Sequence, residues 1–169
     1  MSDVNEELVR RYFELQGYFV RTNLKYEYRT PKGMGWSDVD LCVLHPITGD
    51  AAAVEVKGWH MESITPSYFR DWPSMLYPTR EEARRAVVEL LGRDDFCSVL
   101  VVSRIGPRGG AEVLAKAAEA GVEILEFRKV LDFLIEHVPR NRDAGSESEH
   151  VIRLLKIYGQ VNEDRTAAN

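Results

Sequence analysis

Asp38-Val39-Asp40-Leu41-Cys42-Val43-Leu44, followed by Ala51-Ala52-Ala53-Val54-Glu55-Val56-Lys57-Gly58, is the stretch whose reading decides the fold. Both halves alternate with the period of a strand. Val39, Leu41 and Val43 are expected on one face, with Asp38, Asp40, Cys42 and Leu44 on the other. In the second half Val54 and Val56 point to the core. Ala51, Ala53, Glu55 and Lys57 share the opposite face, where the alanines leave room beside the charged pair. The turn His45-Pro46-Ile47-Thr48-Gly49-Asp50 joins the two strands. Two carboxylates and a lysine are thus set on neighbouring strands.

That placement suits metal-assisted hydrolysis of a phosphodiester. Asp40 and Glu55 supply hard oxygen ligands for Mg²⁺, which keeps several waters and takes one or two protein carboxylates. Lys57 is two residues past Glu55. Its ammonium can orient or help deprotonate the attacking water and stabilise charge in the transition state. The plain alternative is an exposed strand with a solvated Glu and Lys. Asp38 reads as a charge at the strand entrance rather than as a ligand.

Outward from this stretch, a helix is expected over 4–16 and a strand near 17–29, followed by strands 36–44 and 51–57. A helix over about 80–92 opens with a capping box at Thr79 and Glu82. Cys97-Ser98-Val99-Leu100-Val101-Val102-Ser103 is continuously apolar and reads as a strand buried on both faces. A helix over 111–120, the strand 122–125 and a helix over 128–138 complete an alternating half. The expected class is α/β, with a mixed central β-sheet flanked by helices.

These motifs resemble the PD-(D/E)xK phosphodiesterase superfamily, the restriction-endonuclease-like fold, and within it the small archaeal Holliday-junction-resolvase-like and Mrr-like nucleases. An N-terminal helix carrying a glutamate precedes a Gly-aromatic strand, here Asn5-Glu6-Glu7-Leu8-Val9 through Gln16-Gly17-Tyr18-Phe19-Val20. Asp40 matches the motif aspartate, and Glu55 with Lys57 matches Glu-x-Lys. Val39 stands where the family pattern has proline, and the helix over 79–92 lacks the glutamine of some nuclease branches. The resemblance implies a Mg²⁺-dependent endonuclease with Mn²⁺ as a substitute, Asp40, Glu55, Lys57 and Glu6 as catalytic residues, and Asp40, Glu55 and Val56 as metal ligands. Glu6 is preferred over Glu7 by helical phase. It falls on the stripe of Val9 and Phe13, whereas Glu7 shares a face with Arg10, Arg11 and Glu14. A solvated first-turn glutamate favoured by the helix dipole is the alternative.

Composition sets the bounds. The chain has 169 residues, 44% of them hydrophobic, which suits one globular domain with a real core. No apolar run is long enough for a transmembrane helix, and the N-terminus lacks the pattern of a secretory signal, so a cytoplasmic protein is expected. Cys42 and Cys97 both read as buried, reduced small hydrophobes, and the four scattered histidines form no ligand pattern. The net charge of −5 runs against a dedicated nucleic-acid binder. Against it stand Arg21, Lys25, Arg29 and Lys32, opposed only by Glu27, a stripe fit to track a phosphate backbone. Arg104 and Arg108 could extend it.

The segment between Gly58 and Arg80 carries Trp59, Tyr68, Phe69, Trp72 and Tyr77, an aromatic loop that could wall the site or pack as an Ω-loop or dimer patch. Trp36 is expected in the core. A nuclease-like core over 1–138 is followed by a polar linker and a docking helix near 151–158, together 139–169. The expected partner is nucleic acid, with DNA favoured, and a homodimer would supply two cuts in a duplex. The competing expectation is a non-catalytic nucleic-acid-binding or protein-interaction module of the same fold.

Overall fold

The computed structural model describes residues 4–57, 64–66, 81–137, 149–153 and 156. The aromatic loop (except 64–66), Thr79 of the expected capping box, the linker over 139–148 and most of the C-terminal tail lie outside the described residues.

The first half of the chain folds as α1 (Val4–Leu15), β1 (Phe19–Thr30), β2 (Gly33–Leu44) and β3 (Ala51–Lys57). The second half alternates: α2 (Glu81–Leu91), β4 (Cys97–Val102), α3 (Gly110–Glu119), β5 (Val122–Glu126) and α4 (Phe127–His137). The five strands form one sheet in the order β1-β2-β3-β4-β5. β1, β2 and β3 form an antiparallel meander, and β3, β4 and β5 run parallel. The chain is therefore an α/β protein with a mixed sheet flanked by helices.

Each helix buries a pair of residues four apart, the stripe that an amphipathic helix presents to a sheet. Val9 and Phe13 of α1, with Val130 and Leu134 of α4, cover Leu41, Val43, Ala52, Val54, Val56, Val99 and Val101 on one face. On the other, Ala83 and Val87 of α2 cover Tyr26, Val39, Cys42 and Ala53. Val113 of α3 packs on Leu100, Val102 and Val122. Adjacent residues of β4 thus reach opposite faces, which is why its sequence is apolar without alternation. Ile152 is buried in the α1–α4 cluster, and Glu149, also buried, forms ion pairs with Arg11 and Arg153.

Four expectations are corrected. Val39 does not share a face with Leu41 and Val43: it packs under α2, and they pack under α1. Between them, Asn23 of β1 takes a left-handed φ of 53°, and neither it nor Asp40 has a Cα partner in the β1–β2 ladder. The regular pleat is broken at that point. Ala53 leaves no space for substrate, because α2 occupies it with Ala83 and Val87. Cys97 is exposed at the start of β4, while Cys42 is buried and its thiol is pushed up to about 12 by that burial. Trp36 is not in the core but 67% exposed.

Candidate active site

β2 and β3 pair from Leu44↔Ala51 to Leu41↔Val54 and no further. The next two positions would set Asp40 opposite Glu55 and Val39 opposite Val56. Instead the Asp40 carboxylate enters the gap, and its Oδ2 accepts the main-chain N–H of Val56 at 2.6 Å. β3 meanwhile stays paired with β4 through Lys57↔Val102. The strands therefore part on one side only, and the parting opens at Asp40.

Glu55 is buried to 6% exposure, an uncommon place for a carboxylate. Its Oε1 lies 2.5 Å from Lys57 Nζ, and its Oε2 is buried and, among the described residues, accepts no hydrogen bond. Burial, with Asp40 next, pushes the Glu55 carboxyl up to about 7. Asp40 is pushed up to about 6, chiefly by burial, against the lowering effect of the Val56 N–H and Lys57. Burial alone would depress Lys57, but Glu55 and Asp40 outweigh it and raise its pKa. Lys57 is thus held as an ammonium. Its chemistry is to orient an oxygen and to stabilise negative charge, not to accept a proton.

The other expected residues fall at graded distances from this centre. Glu6 is half-buried on α1, and its charge raises the Asp40 carboxyl, so the two acids share one electrostatic neighbourhood. Glu7 instead pairs with Arg10 at 4.0 Å. Asp38 lies across from Lys25 and acts on both Asp40 and Glu55. Val56 gives its N–H to Asp40, and its side chain is buried under α1.

The basic stripe is divided. Paired residues of an antiparallel ladder share a face. Arg21 pairs with Cys42, which packs under α2, whereas Lys25 and Arg29 alternate with Leu24, Tyr26 and Tyr28 of the α2 cluster and so face the other way. Lys32 is exposed in the turn between β1 and β2. Arg104 and Arg108 are exposed in the loop after β4, at the end of the sheet where β3 also ends.

Whether these groups suit a cation is answered by Glu55. A buried carboxylate oxygen with no donor, beside a second desolvated carboxylate, is a pair of hard oxygen donors that a divalent ion would satisfy. Among the described residues no group of three or more His, Cys, Asp or Glu could hold a metal ion. A cavity of about 430 Å³ lies at the opposite end of the sheet, lined by residues such as Tyr18, Asp50, Ala51, Arg93 and Cys97, and includes neither Asp40 nor Glu55. The acidic pair lies instead where β2 and β3 part.

Sequence reasoning missed Trp36. The signal was its parity: it shares alternation with Asp38, not with Val39, and is flanked by Gly35 rather than by apolar residues.

No family model matches this sequence, and no curated protein matches it. Among solved structures, a chain of the EndoMS–dsDNA2 complex is similar at 17% identity and a TM-score of 0.35. The similarity covers 71% of this chain and 43% of that one. A likeness at that level decides nothing about activity. No helix among the described residues is long and apolar enough to cross a membrane.

Proposed function

We propose that this chain is a Mg²⁺-dependent nuclease of the restriction-endonuclease-like class that hydrolyses phosphodiester bonds in nucleic acid, with DNA as the favoured substrate. One observation carries the reading: the buried, unpartnered Oε2 of Glu55 beside the Asp40 carboxylate. An enzyme gains from such a costly arrangement only if a ligand completes it.

In this reading Asp40 and Glu55 hold the ion, Mg²⁺ or Mn²⁺, with the main-chain oxygen of Val56 as a further ligand. When bound, the ion supplies Lewis-acid polarisation of the phosphate and an acidified water. The chain's own residues do the rest. Lys57, fixed by Glu55, orients the attacking oxygen and offsets charge gathering on the phosphate. Glu6 adds a third acid from α1. Lys25, Arg29 and Lys32 on one side of β1–β2, and Arg21 on the other, meet backbone phosphates. Residues 1–138 serve as the catalytic core, and 139–169 as a linker and a helix that docks on it. A homodimer would place two sites on a duplex.

A cleavage screen of linear, nicked and branched DNA tests this directly, comparing wild type with Lys57→Ala. Metal-dependent products from wild type and none from the variant are expected. No cleavage of any substrate by a folded wild type that also binds no metal would reject the reading in favour of a binding module.

A further inference from the structure

Beyond Asp40 the β1–β2 pair leaves the sheet. Its ladder continues to Thr30↔Gly33, while β3 stops accompanying β2 at Leu41, so residues 24–39 form a two-stranded ribbon. One face of the ribbon is covered, because Leu24, Tyr26, Tyr28 and Val39 pack with Ala83 and Val87 of α2. Gly35 lies flush on the Tyr28 ring, where an added Cβ would come within 2.8 Å, so the covered face is closed tightly.

The other face is open. The register sets Lys25 beside Asp38, Glu27 beside Trp36 and Arg29 beside Met34, with all six side chains on that face. Trp36 is 67% exposed and Met34 58%. Exposing so much apolar surface is costly unless something covers it. Lys25 and Arg29 flank the indole, Lys32 follows in the turn, and Glu27 and Asp38 are the acids set among them. Between Trp36, Lys25, Ser37 and Asp38 lies a concavity of about 500 Å³.

We infer that this open face holds an unpaired, single-stranded segment of nucleic acid, with a base stacked on the Trp36 indole and adjacent phosphates on Lys25 and Arg29. The inference rests on the nucleic-acid reading above and narrows its substrate class. Inside a duplex both faces of each base are covered by neighbours. An indole on a protruding ribbon finds a free π-face at a single strand, an end or a gap, whereas a paired base must first be unstacked at a cost of a few kcal/mol. The cations on either side of the indole favour a polyanion over an apolar protein surface, against which they would lose their water.

The test compares wild type, Trp36→Ala and Trp36→Phe by fluorescence anisotropy with a labelled thymidine single strand and with a fully paired duplex, at low salt and without divalent metal. Trp36→Ala is expected to weaken single-strand binding about five- to a hundredfold, the range of one lost base stack, with a smaller effect on duplex. Trp36→Phe is expected to keep most of the affinity. Unchanged single-strand binding by Trp36→Ala, or an equal loss on both substrates, overturns the inference. So does a loss of self-association in Trp36→Ala with oligonucleotide binding intact, which assigns the patch to a second copy. No turnover is needed, so a wild type that binds single strands through Trp36 but cleaves nothing would remove only the nuclease reading.

Discussion

The main-chain N–H of Val56 donates to Oδ2 of Asp40 at 2.6 Å, across the point where β2 and β3 stop pairing. A side chain has taken a place that a strand carbonyl would otherwise fill. The same carboxylate closes the open end of the ladder and, in the proposed enzyme, faces the ion. Fold and site are coupled through one bond, and the two roles separate by substitution.

Asp40→Asn retains an oxygen that can accept the Val56 N–H, whereas Asp40→Ala leaves a half-buried donor unmatched at a cost of about 1–3 kcal/mol. Both variants are expected to lose turnover. In urea denaturation Asp40→Asn should unfold near the wild-type midpoint and Asp40→Ala clearly below it. Equal midpoints would mean that the hydrogen bond does not support the sheet.

Glu55→Gln removes a carboxylate that burial makes costly to ionise, and Lys57 is open enough to turn toward water. Without metal, above neutral pH, the variant is expected to melt higher than wild type while losing activity, an exchange of stability for function. A lower melting temperature would indicate that the Lys57 pair repays the burial of Glu55.

The pH dependence has a definite sign. Asp40 and Glu55 have raised pKa values, so between about pH 4 and 7 the folded state binds more protons than the unfolded chain. Their contribution to stability therefore falls as pH rises through that window. Lys57, raised from an already high value, stays charged across it. A divalent ion needs both carboxylates ionised. The melting shift on adding Mg²⁺ should thus be near zero at about pH 5 and positive at about pH 8. The reverse order would exclude these carboxylates as the ligands.

Lys57→Met preserves the length of the side chain and removes its charge. Loss of one preorganised charge-stabilising group costs about a hundred- to a thousandfold in kcat. Metal affinity should change far less than turnover. A variant that retains wild-type kcat would leave Lys57 with no catalytic part.

Glu149 is buried and paired with both Arg11 of α1 and Arg153. Breaking a fully buried pair costs about 3–5 kcal/mol, and the partial exposure of Arg11 lowers the expectation for Glu149→Ala to about 2 kcal/mol. A reduced denaturant midpoint would show that the C-terminal helical stretch braces α1, the helix that carries Glu6. An unchanged midpoint would show that contacts such as those of Ile152 fasten it without the ion pairs.

Much of the architecture was legible because local periodicity and burial agreed. The apolar run of β4 announced a strand covered on both faces, and Val9 with Phe13 announced the buried stripe of α1. Asp40, Glu55 and Lys57 could be placed together because the turn His45–Asp50 fixes the register of β2 against β3; the His45 N–H donates to the Asp50 carbonyl at 2.8 Å. What could not be read is the break at Asn23 and Asp40. Alternation assumes a regular pleat, and one residue with positive φ moves Val39 to the other face. Trp36 was misplaced for a related reason. It was expected in the core, yet its position in the ribbon faces away from α2, which covers the other face.

Calorimetric titration of Mg²⁺ into wild type and Glu55→Gln at about pH 8, where both acids are ionised in the folded protein, tests the central claim most directly. The account predicts saturable binding by wild type and its loss in a folded Glu55→Gln. Equal binding by the two would contradict it, because the unpartnered oxygen of Glu55 would then have no ion to meet.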